Sequence, residues 1–397
     1  MRITGYRSLM TTMDWGHPVG DVNGTFQTSA TPCPVLAIDT SDGITGYAAS
    51  EHPDIASMFD LIEGRSPLAP QSIYDSLIRA CFKAGHQGRV HATIGAIDIA
   101  LWDIASRAAG LPLWRMLGAD TRFVRGYASG LDIGLGASEV FEFYRAFGER
   151  GFSAAKVKGG ADTASDTGRL LAAREALSAS SSGTPAVMLD ANEAWHPSEA
   201  VRYITEIEKR VDLAWVEEPV RRWDVEGHAF VRNKIRSGVA TGENLSGIEQ
   251  FGPLIRGRGA DVLQVGSRWG ITHLMRVAAT SQAFNLLVSP VGATLPLLGA
   301  LAPVANHPGA EIQSLNVPAG MAVHHWIESG GVLLSDEPGL GVVFHEGEFC
   351  APAVAKRADA GPNLPATWAG LRLSSVHTDQ LKDGELEHSS RAAGREW

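Results

Sequence analysis

Three short stretches decide the fold of this chain: residues 186–192 (AVMLDAN), residues 213–219 (LAWVEEP) and residues 238–244 (GVATGEN). Each is an apolar run of strand type that ends near an acidic residue, and these acids are Asp190, Glu217 and Glu243. They follow one another at intervals of 27 and 26 residues. That is about the length of one strand–helix unit of a parallel barrel, in which eight units take up ~250 residues. The spacing predicts three successive parallel strands that each bring one carboxylate to the same rim.

Three carboxylates at one rim repel one another unless a cation lies between them. Oxygen ligands at a polar barrel mouth suit Mg²⁺, which binds through a few carboxylates and keeps positions for water or substrate. The sequence therefore predicts Mg²⁺ as the cofactor, on Asp190, Glu217 and Glu243. Alternate residues of a strand share a face, so Trp215 and Glu217 point inward together and Glu217, rather than Glu218, is the predicted ligand.

The composition favours a globular protein that acts on a small molecule. The 397 residues include 34 basic and 44 acidic residues, for a net charge of −10, and no basic cluster predicts binding to nucleic acid or to an anionic membrane. Cys33, Cys81 and Cys350 have neither disulfide nor zinc spacing and fit a reducing compartment. Residues 1–10, MRITGYRSLM, contain no apolar signal core, so we expect a cytoplasmic protein.

The pattern of the chain changes after the first ~115 residues, from mixed to regularly alternating elements. Residues 35–50, VLAIDTSDGITGYAAS, alternate around an Asp-Gly turn and predict a hairpin. Residues 92–110 predict a helix with one apolar face, which ends at Gly110 and Pro112. Short apolar runs then alternate with helical windows, which indicates a parallel barrel. The runs are RGYASG, AAKVK, AVMLD, LAWVEEP, GVATGEN, DVLQVG, NLLVSP and AEIQSL.

Two lysines stand on the run before Asp190, in residues 154–158 (AAKVK). Lys156 and Lys158 are two positions apart and share the inward face. Two ammonium groups beside a divalent cation are expected to lower each other's pKa toward neutrality. A lysine with such a pKa serves as a general base, so we predict that these two residues carry the proton transfer.

The motifs KVK, LDAN, VEEP and GEN, in this order, resemble the enolase superfamily and its mandelate racemase-like branch. Residues 91–119, HATIGAIDIALWDIASRAAGLPLWRMLGA, and residues 338–349, PGLGVVFHEGEF, resemble further segments of that branch. The resemblance implies an α/β fold, namely a modified TIM (β/α) barrel under an N-terminal α+β capping domain. It implies a cap over residues 1–118, a barrel over 119–325, and a segment 326–397 that completes the cap. After Pro352 the composition shifts toward Ala, Pro, Gly and charged residues, which predicts a tail that either packs on the N-terminal domain or is partly disordered. The resemblance also implies a homo-oligomer and abstraction of a proton α to a carboxylate through an enediolate held by Mg²⁺.

Three polar positions of the branch differ in this sequence. Gln264 falls where strand six usually carries an Asp, and Trp269 replaces a usual glycine. Val291, or Pro290, stands at the usual position of a His on strand seven, and Gln313 at that of a Glu on strand eight. The resemblance therefore lacks the His–Asp dyad, and it also lacks the strand-six lysine of a sister branch. A second base on the opposite face of the substrate is missing, which argues against racemisation.

Further substrate contacts are predicted from position alone. Residues 13–27 correspond to the substrate-covering loop of the family, and we select Trp15 and His17 in it. Asn192 faces inward two residues beyond Asp190, and Gln264 and Gln313 occupy the altered barrel positions. Arg268 either binds an anionic substrate or pairs at the rim.

The main interpretation is a Mg²⁺-dependent lyase that dehydrates an acid sugar to a 2-keto-3-deoxy acid, with Lys158 as base and Lys156 as its tuner. Two alternatives stay open at this point. One is an isomerase or lactone cycloisomerase on the same scaffold, and the other is a weakly active member that binds a carboxylate ligand. Intact lysines and acids argue against loss of activity, because an unused buried charge cluster is destabilising.

Overall fold

The structure is a computed structural model and describes residues 1–83, 85, 87–179 and 181–350, together with the backbone of residues 357–359. These residues belong to one compact unit. The tail predicted to pack on the N-terminal domain or to be partly disordered lies outside the described residues, apart from that short backbone segment. An N-terminal domain comes first along the chain, and a parallel barrel follows.

The N-terminal domain is built on an antiparallel sheet with the strand order β1-β4-β5. Its strands and helices are β1 (Ile3–Asp14), β2 (Gly20–Asp21), β3 (Gly24–Phe26), β4 (Ala30–Thr40), β5 (Thr45–Ala49), α1 (Ile55–Phe59), α2 (Pro70–Ala80), α3 (Arg89–Ala109) and α4 (Leu113–Met116). Strands β4 and β5 pair from Val35↔Ala49 to Asp39↔Thr45. The turn between them contains Gly43 at φ 79°, a conformation that glycine adopts without steric cost. The hairpin predicted from residues 35–50 is confirmed.

Helix α3 joins the N-terminal domain to the barrel. It is buried along most of its length and ends at Gly110, whose φ of 66° is left-handed, so the predicted helix and its end are confirmed. A Cβ on Gly95 would lie 2.1 Å from the carbonyl oxygen of Arg268, so only glycine allows this close approach. The carboxylate of Asp98 accepts hydrogen bonds from the backbone N–H of Thr272 at 2.8 Å and from its hydroxyl at 2.5 Å.

The barrel contains all eight strands that the apolar runs predict. They are β6 (Phe123–Ser129), β7 (Ala154–Lys158), β8 (Ala186–Asp190), β9 (Leu213–Glu217), β10 (Gly238–Thr241), β11 (Val262–Gly266), β12 (Leu287–Val291) and β13 (Ala310–Ile312). Strands β6 to β12 pair in parallel in sequence order, and β13 pairs with β6. The helices between them are α5 (Ala137–Gly148), α6 (Thr163–Ser178), α7 (Pro197–Ile207), α8 (Val225–Arg232), α9 (Ile248–Arg256), α10 (Ile271–Ala283) and α11 (Leu298–Leu301). The predicted fold, an α/β barrel with an N-terminal domain, is confirmed.

The barrel interior changes from apolar to charged along the strand direction. Its floor is a cluster of buried side chains: Tyr127, Met188, Trp215, Ala240 and Val262. Residues two positions further along a strand share the same face, and three of them are the polar Asp190, Glu217 and Gln264. The charged groups therefore rest on an apolar floor, away from water, where electrostatic interactions are strong.

Residues 321–344 contain four short strands: β14 (Met321–Val323), β15 (Trp326–Glu328), β16 (Gly331–Leu333) and β17 (Val342–Phe344). Strand β16 pairs antiparallel with β6, so the β15–β16 hairpin extends the barrel sheet rather than the cap, which corrects the predicted role of its residues. The segment that follows does contact the N-terminal domain, because Glu346 accepts hydrogen bonds from Arg7 and, at 2.7 Å, from Tyr47. Strand β18 (Arg357–Asp359) pairs through its backbone with β3.

Two further features of the described residues bear on the predictions. Cys33, Cys81 and Cys350 are free thiols, as expected from their spacing. No helix in this part of the chain combines the length and the apolar character needed to cross a membrane.

Candidate active site

Both lysines of the KVK motif point into the barrel from the end of β7. The Lys156 ammonium lies among three carboxylates, at 2.5 Å from Glu217 Oε1, 2.9 Å from Glu311 Oε1 and 3.2 Å from Asp190 Oδ2. The Lys158 ammonium, one pleat nearer the rim, donates to Asp190 Oδ2 at 2.6 Å. Only Lys158 of the two reaches the wall of the cavity at the barrel mouth. This position favours Lys158, rather than Lys156, as the lysine that contacts a substrate.

The three predicted metal ligands lie at the same rim, one strand apart. Asp190 and Glu217 are the last residues of β8 and β9, and the two strands pair in register at these positions. Both are fully buried. Glu243 follows β10 by two residues and lines the cavity together with Lys158 and Asn192. The acids approach the cavity from neighbouring strands, as the spacing of 27 and 26 residues predicts.

Glu217 and Glu218 point to different sides of β9. Glu217 lies inside the barrel, where its carboxylate accepts hydrogen bonds from Gln264 Nε2 at 2.6 Å and Trp215 Nε1 at 3.4 Å. Glu218 has a left-handed backbone with φ 44° and accepts a hydrogen bond from Asn244 Nδ2 at 3.0 Å. The inward direction of Glu217 agrees with the alternation along the strand, and its role as a metal ligand stays a prediction.

Burial and neighbouring charges shift the pKa values of this cluster in opposite directions. Burial alone would raise the pKa of Asp190, but the charges of Lys158 and Lys156 outweigh it and lower that pKa. Burial raises the pKa of Glu217 despite the charge of Lys156. The pKa of Glu243 is also raised, again chiefly by burial. Asp190 is therefore the most firmly ionised of the three acids.

The expectation that the two lysines have pKa values near neutrality concerns a site with a divalent cation beside them, and it stays a prediction. Burial is the largest influence on Lys158 and lowers its pKa, as does the charge of Lys156, but Asp190, Glu243 and Glu311 together outweigh both and the pKa of Lys158 is raised. The pKa of Lys156 is raised as well, because Glu217, Glu311 and Asp190 together outweigh its burial. The carboxylates must be compensated by another cation before Lys158 loses its proton near neutral pH.

The donor set at the rim fits Mg²⁺ in its chemistry. Asp190, Glu217 and Glu243 offer oxygen atoms alone, which hard cations prefer. Burial raises the pKa of two of these acids, and a cation among them would relieve that cost. Within the described part of the chain, no three acid, histidine or cysteine side chains already surround one point. Instead, the ammonium groups of Lys156 and Lys158 lie against these carboxylates.

Glu311 is a buried member of the cluster that the sequence analysis missed. Besides its contact with Lys156, its Oε2 accepts a hydrogen bond from the backbone N–H of Gly292 at 2.5 Å. The charge of Lys156 lowers the pKa of Glu311 although burial opposes this. Alternation along the run AEIQSL puts Glu311 and Gln313 on the same inward face, and this pattern was the sequence signal by which Glu311 could have been found. Strand eight therefore carries a glutamate one pleat below Gln313.

The opposite wall of the rim presents no acid, histidine or lysine to the cavity among the described residues. Gln264 pairs in register with Ser289, and Gly266 pairs with Val291, so Gly266 rather than Gln264 stands beside Val291 at the mouth. A Cβ on Gly266 would lie 2.5 Å from the carbonyl oxygen of Glu243. No side chain therefore fits at the end of strand six without a rearrangement of the backbone.

The cavity of about 470 Å³ at the barrel mouth is covered by the loop of residues 13–27. Three of the predicted substrate contacts, Trp15, Asn192 and Gln313, line it together with the candidate Arg268, and their contact with a substrate stays a prediction. The loop is attached to the rim, because Asn23 Nδ2 donates to the carbonyl oxygen of Asn192 at 2.9 Å. A larger cavity of about 790 Å³ lies beyond Arg268, and neither lysine lines it.

The two remaining predicted contacts do not line the cavity. His17 packs edge-on against Phe143 of α5, with 5.2 Å between ring centroids, and bonds to the Pro18 carbonyl oxygen at 2.9 Å. Gln264 is fully buried below the rim, where its amide donates to Glu217. His17 is turned toward α5 and Gln264 supports a carboxylate, so substrate contact by these two side chains stays a prediction.

A capped parallel barrel with lysines and acids at its C-terminal rim defines an enzyme of acid–base chemistry. Residues 140–348 match the family described as enolase C-terminal domain-like, and residues 11–118 match the N-terminal domain of the mandelate racemase / muconate lactonizing enzyme family. The chain belongs to the enolase superfamily, in its mandelate racemase and muconate lactonizing enzyme branch.

Individual members of the superfamily resemble the chain over most of its length. The 3,6-anhydro-alpha-L-galactonate cycloisomerase of Streptomyces coelicolor is 31% identical over 324 residues, which are 78% of this chain and 88% of that protein. The crystal structure of L-talarate/galactarate dehydratase from Salmonella typhimurium, liganded with Mg and L-lyxarohydroxamate, has a TM-score of 0.78 at 26% identity and covers 90% of this chain and 94% of its own. A racemase from Streptomyces coelicolor with bound magnesium has a TM-score of 0.77 at 29% identity, over 86% and 97%.

Proposed function

We propose that this protein removes the proton α to the carboxylate of an acid sugar and then expels the β-oxygen, with Lys158 as the base. The observation that carries the proposal is the one-sided cavity. Lys158 lies beside Asp190 at its wall, and among the described residues the facing strands offer no titratable base. One base on one face suits an elimination, in which a single group first takes a proton and then returns it.

Asp190, Glu217 and Glu243 would hold Mg²⁺. Bound there, Mg²⁺ would stabilise the negative charge that develops on the substrate carboxylate and would offset the carboxylates that raise the pKa of Lys158. Gln264 would keep Glu217 oriented through the hydrogen bond of 2.6 Å between them. The Mg²⁺-containing structures of two relatives support this assignment.

The two lysines would have different roles in the proton transfer. Neutral Lys158 takes the α-proton, and the C–O bond at the β-carbon then breaks as the C=C bond forms. The same ammonium returns a proton to the departing oxygen on that face, and the enol product tautomerises to a 2-keto-3-deoxy acid. Lys156, held among three carboxylates, stays protonated and supplies a fixed positive charge next to the base.

The leaving oxygen decides between the two reaction classes that the relatives represent. A free β-hydroxyl leaves as water, so the enzyme is a lyase, as the talarate/galactarate dehydratase is by its name. In an anhydro sugar acid the β-oxygen belongs to a ring, so the same elimination opens the ring and the reaction is an isomerisation. The cycloisomerase match over 88% of that relative supports this second candidate. A cytoplasmic homo-oligomer remains part of the proposal.

A panel of acid sugars and anhydro sugar acids, incubated with the Mg²⁺-loaded enzyme in D₂O, tests the proposal. We expect deuterium at the α-carbon of a substrate or at the C3 position of its product, and none with Lys158→Met. A product lighter than its substrate by one water identifies the dehydratase, and a product of equal mass identifies the isomerase. No exchange with any member of the panel, together with tight binding of a carboxylate, would instead support the binding-protein alternative.

A further inference from the structure

A buried ion pair outside the barrel interior holds both peptide groups of Lys158. The backbone N–H of Lys158 donates to Asp132 Oδ1 at 2.9 Å, and its carbonyl oxygen accepts from Arg169 Nη1 at 2.6 Å. Asp132 and Arg169 are themselves linked, because Arg169 Nη2 lies 3.0 Å from Asp132 Oδ1 and 2.6 Å from the carbonyl oxygen of Asp132. Asp132 lies in the loop after β6, and Arg169 lies on α6, which follows β7. Both side chains therefore reach the backbone of Lys158 from outside its own strand.

The same network continues along the strand on either side. The Tyr144 hydroxyl lies 2.5 Å from the carbonyl oxygen of Lys156 and 2.8 Å from Asp132 Oδ2. Beyond Lys158, the Asp166 carboxylate accepts the backbone N–H of Gly160 at 2.7 Å and lies 3.3 Å from Arg169 Nη1. The backbone is thus bonded to side chains at residues 156, 158 and 160.

This ion pair is an expensive way to stabilise a fold. Asp132 is fully buried and Arg169 is 3% exposed, and desolvation of two charges commonly cancels the attraction between them. An apolar pair would fill the same space at no such cost. Asp132 and Arg169 each direct one hydrogen bond at the backbone of Lys158, which fixes where its side chain begins.

We propose that Asp132 and Arg169 are positioning residues that fix the peptide groups on both sides of Lys158 and so hold its amine in line with the substrate α-carbon. This role rests on the proposed function of Lys158 as the base. A displacement of ~1 Å at a reacting group costs about 10²-fold in rate. The effect should therefore appear in kcat and not in the binding of substrate or metal.

The double variant Arg169→Met/Asp132→Asn tests the role by removing both charges of the pair together, while Asp166 keeps its hydrogen bond from the backbone N–H of Gly160. We expect kcat for α-proton exchange to fall roughly 10- to 100-fold, with KM and Mg²⁺ affinity within about twofold of the parent values. The single variant Arg169→Lys should have a kcat between those of the parent and the double variant. One ammonium can bond the Lys158 carbonyl oxygen but cannot also make both hydrogen bonds to Asp132. All assays are run well below the unfolding midpoint of each variant.

The control is the Arg232–Asp261 pair, whose aspartate likewise accepts a hydrogen bond from the backbone of a barrel strand. Arg232 bonds Asp261 Oδ1, and Asp261 Oδ2 accepts the backbone N–H of Val239 at 2.9 Å, at the start of β10. Arg232→Met/Asp261→Asn should lower thermal stability and leave kcat unchanged. Parent-like kcat in the Arg169 double variant, or the same kcat loss in the control, overturns the positioning role alone. A parent enzyme that exchanges no acid sugar overturns the proposed function first, and the positioning role with it.

Discussion

The two halves of the barrel rim differ in the kind of side chain they present. Strands β7 to β10 and their ends gather a dense charge cluster: Lys156, Lys158, Asp190, Glu217 and Glu243. On the facing half, the cavity wall is formed by Gly266, Val291 and Gln313 with their neighbouring loops. Both halves belong to the same sheet of barrel strands, so the difference is one of sequence and not of fold.

The contrast shows where the stereochemistry of the reaction is decided. In the proposed reaction, a substrate carboxylate bound near the three acids would turn one face of its α-carbon to Lys158 and the other to a half of the rim that offers no acid, histidine or lysine among the described residues. Removal and return of a proton on one face are then available, whereas transfer between two faces is not.

The largest expected effect is at the single base of the charged half. Lys158→Met should remove α-proton exchange, a loss of at least ~10²–10⁴-fold in kcat, because no other titratable group of the described cavity wall stands at that position. Exchange is measured by NMR in D₂O with saturating Mg²⁺. Circular dichroism should show an intact fold, and Gln313→Glu serves as a control that leaves Lys158 in place. If Lys158→Met still exchanges the α-proton at the parent rate, Lys158 is not the base of the charged half.

The next effect separates the two adjacent acids of β9. Glu217→Gln should lose Mg²⁺ binding and activity, because Glu217 lies inside the barrel beside Asp190. Glu218→Gln should retain both, because Glu218 lies on the other side of the strand, where its carboxylate accepts a hydrogen bond from Asn244. Calorimetric titration with Mg²⁺ checks the pair. Loss of Mg²⁺ binding in Glu218→Gln but not in Glu217→Gln would mean that the metal ligand is Glu218, on the outer side of the strand.

The third prediction concerns the uncharged half directly. Of two substrates that differ only in configuration at the α-carbon, one should exchange its proton and the other should not, at a rate lower by at least ~10². Deuterium exchange on both epimers and polarimetry of each provide the measurement. Equal exchange from both epimers would reveal a second base, and residues 13–27 of the covering loop would be the place to search for it.

How much could be predicted from the sequence depended on how local the signal was. The eight strands and the inward direction of Glu217 follow from spacing and alternation, and the structure agrees with them. Glu311 was missed because Gln313 shares its face. Only the three-dimensional structure shows that Glu311, and not Gln313, lies deep enough in the barrel to contact Lys156. The direction of His17 depends on Phe143, and the raised pKa of Lys158 on how closely Asp190 approaches it. These are tertiary contacts between distant parts of the chain, which periodicity does not encode.

The smallest expected effect tests the charge that Lys156 contributes to its neighbour. Because Lys156 lowers the pKa of Lys158, Lys156→Met should raise that pKa, and the acid limb of the pH–kcat/KM profile should move upward. A shift of ~1 unit corresponds to about 1.4 kcal/mol of lost repulsion. Lys156→Arg keeps the positive charge and should leave the limb in place. Both variants retain Lys158, so activity above the limb should persist, although loss of the contacts to Glu217 and Glu311 should lower the unfolding temperature of Lys156→Met. A downward shift in Lys156→Met would mean that the carboxylates freed by the substitution engage the metal more strongly than they engage Lys158. The charged half would then tune its base through the metal and not through the second lysine.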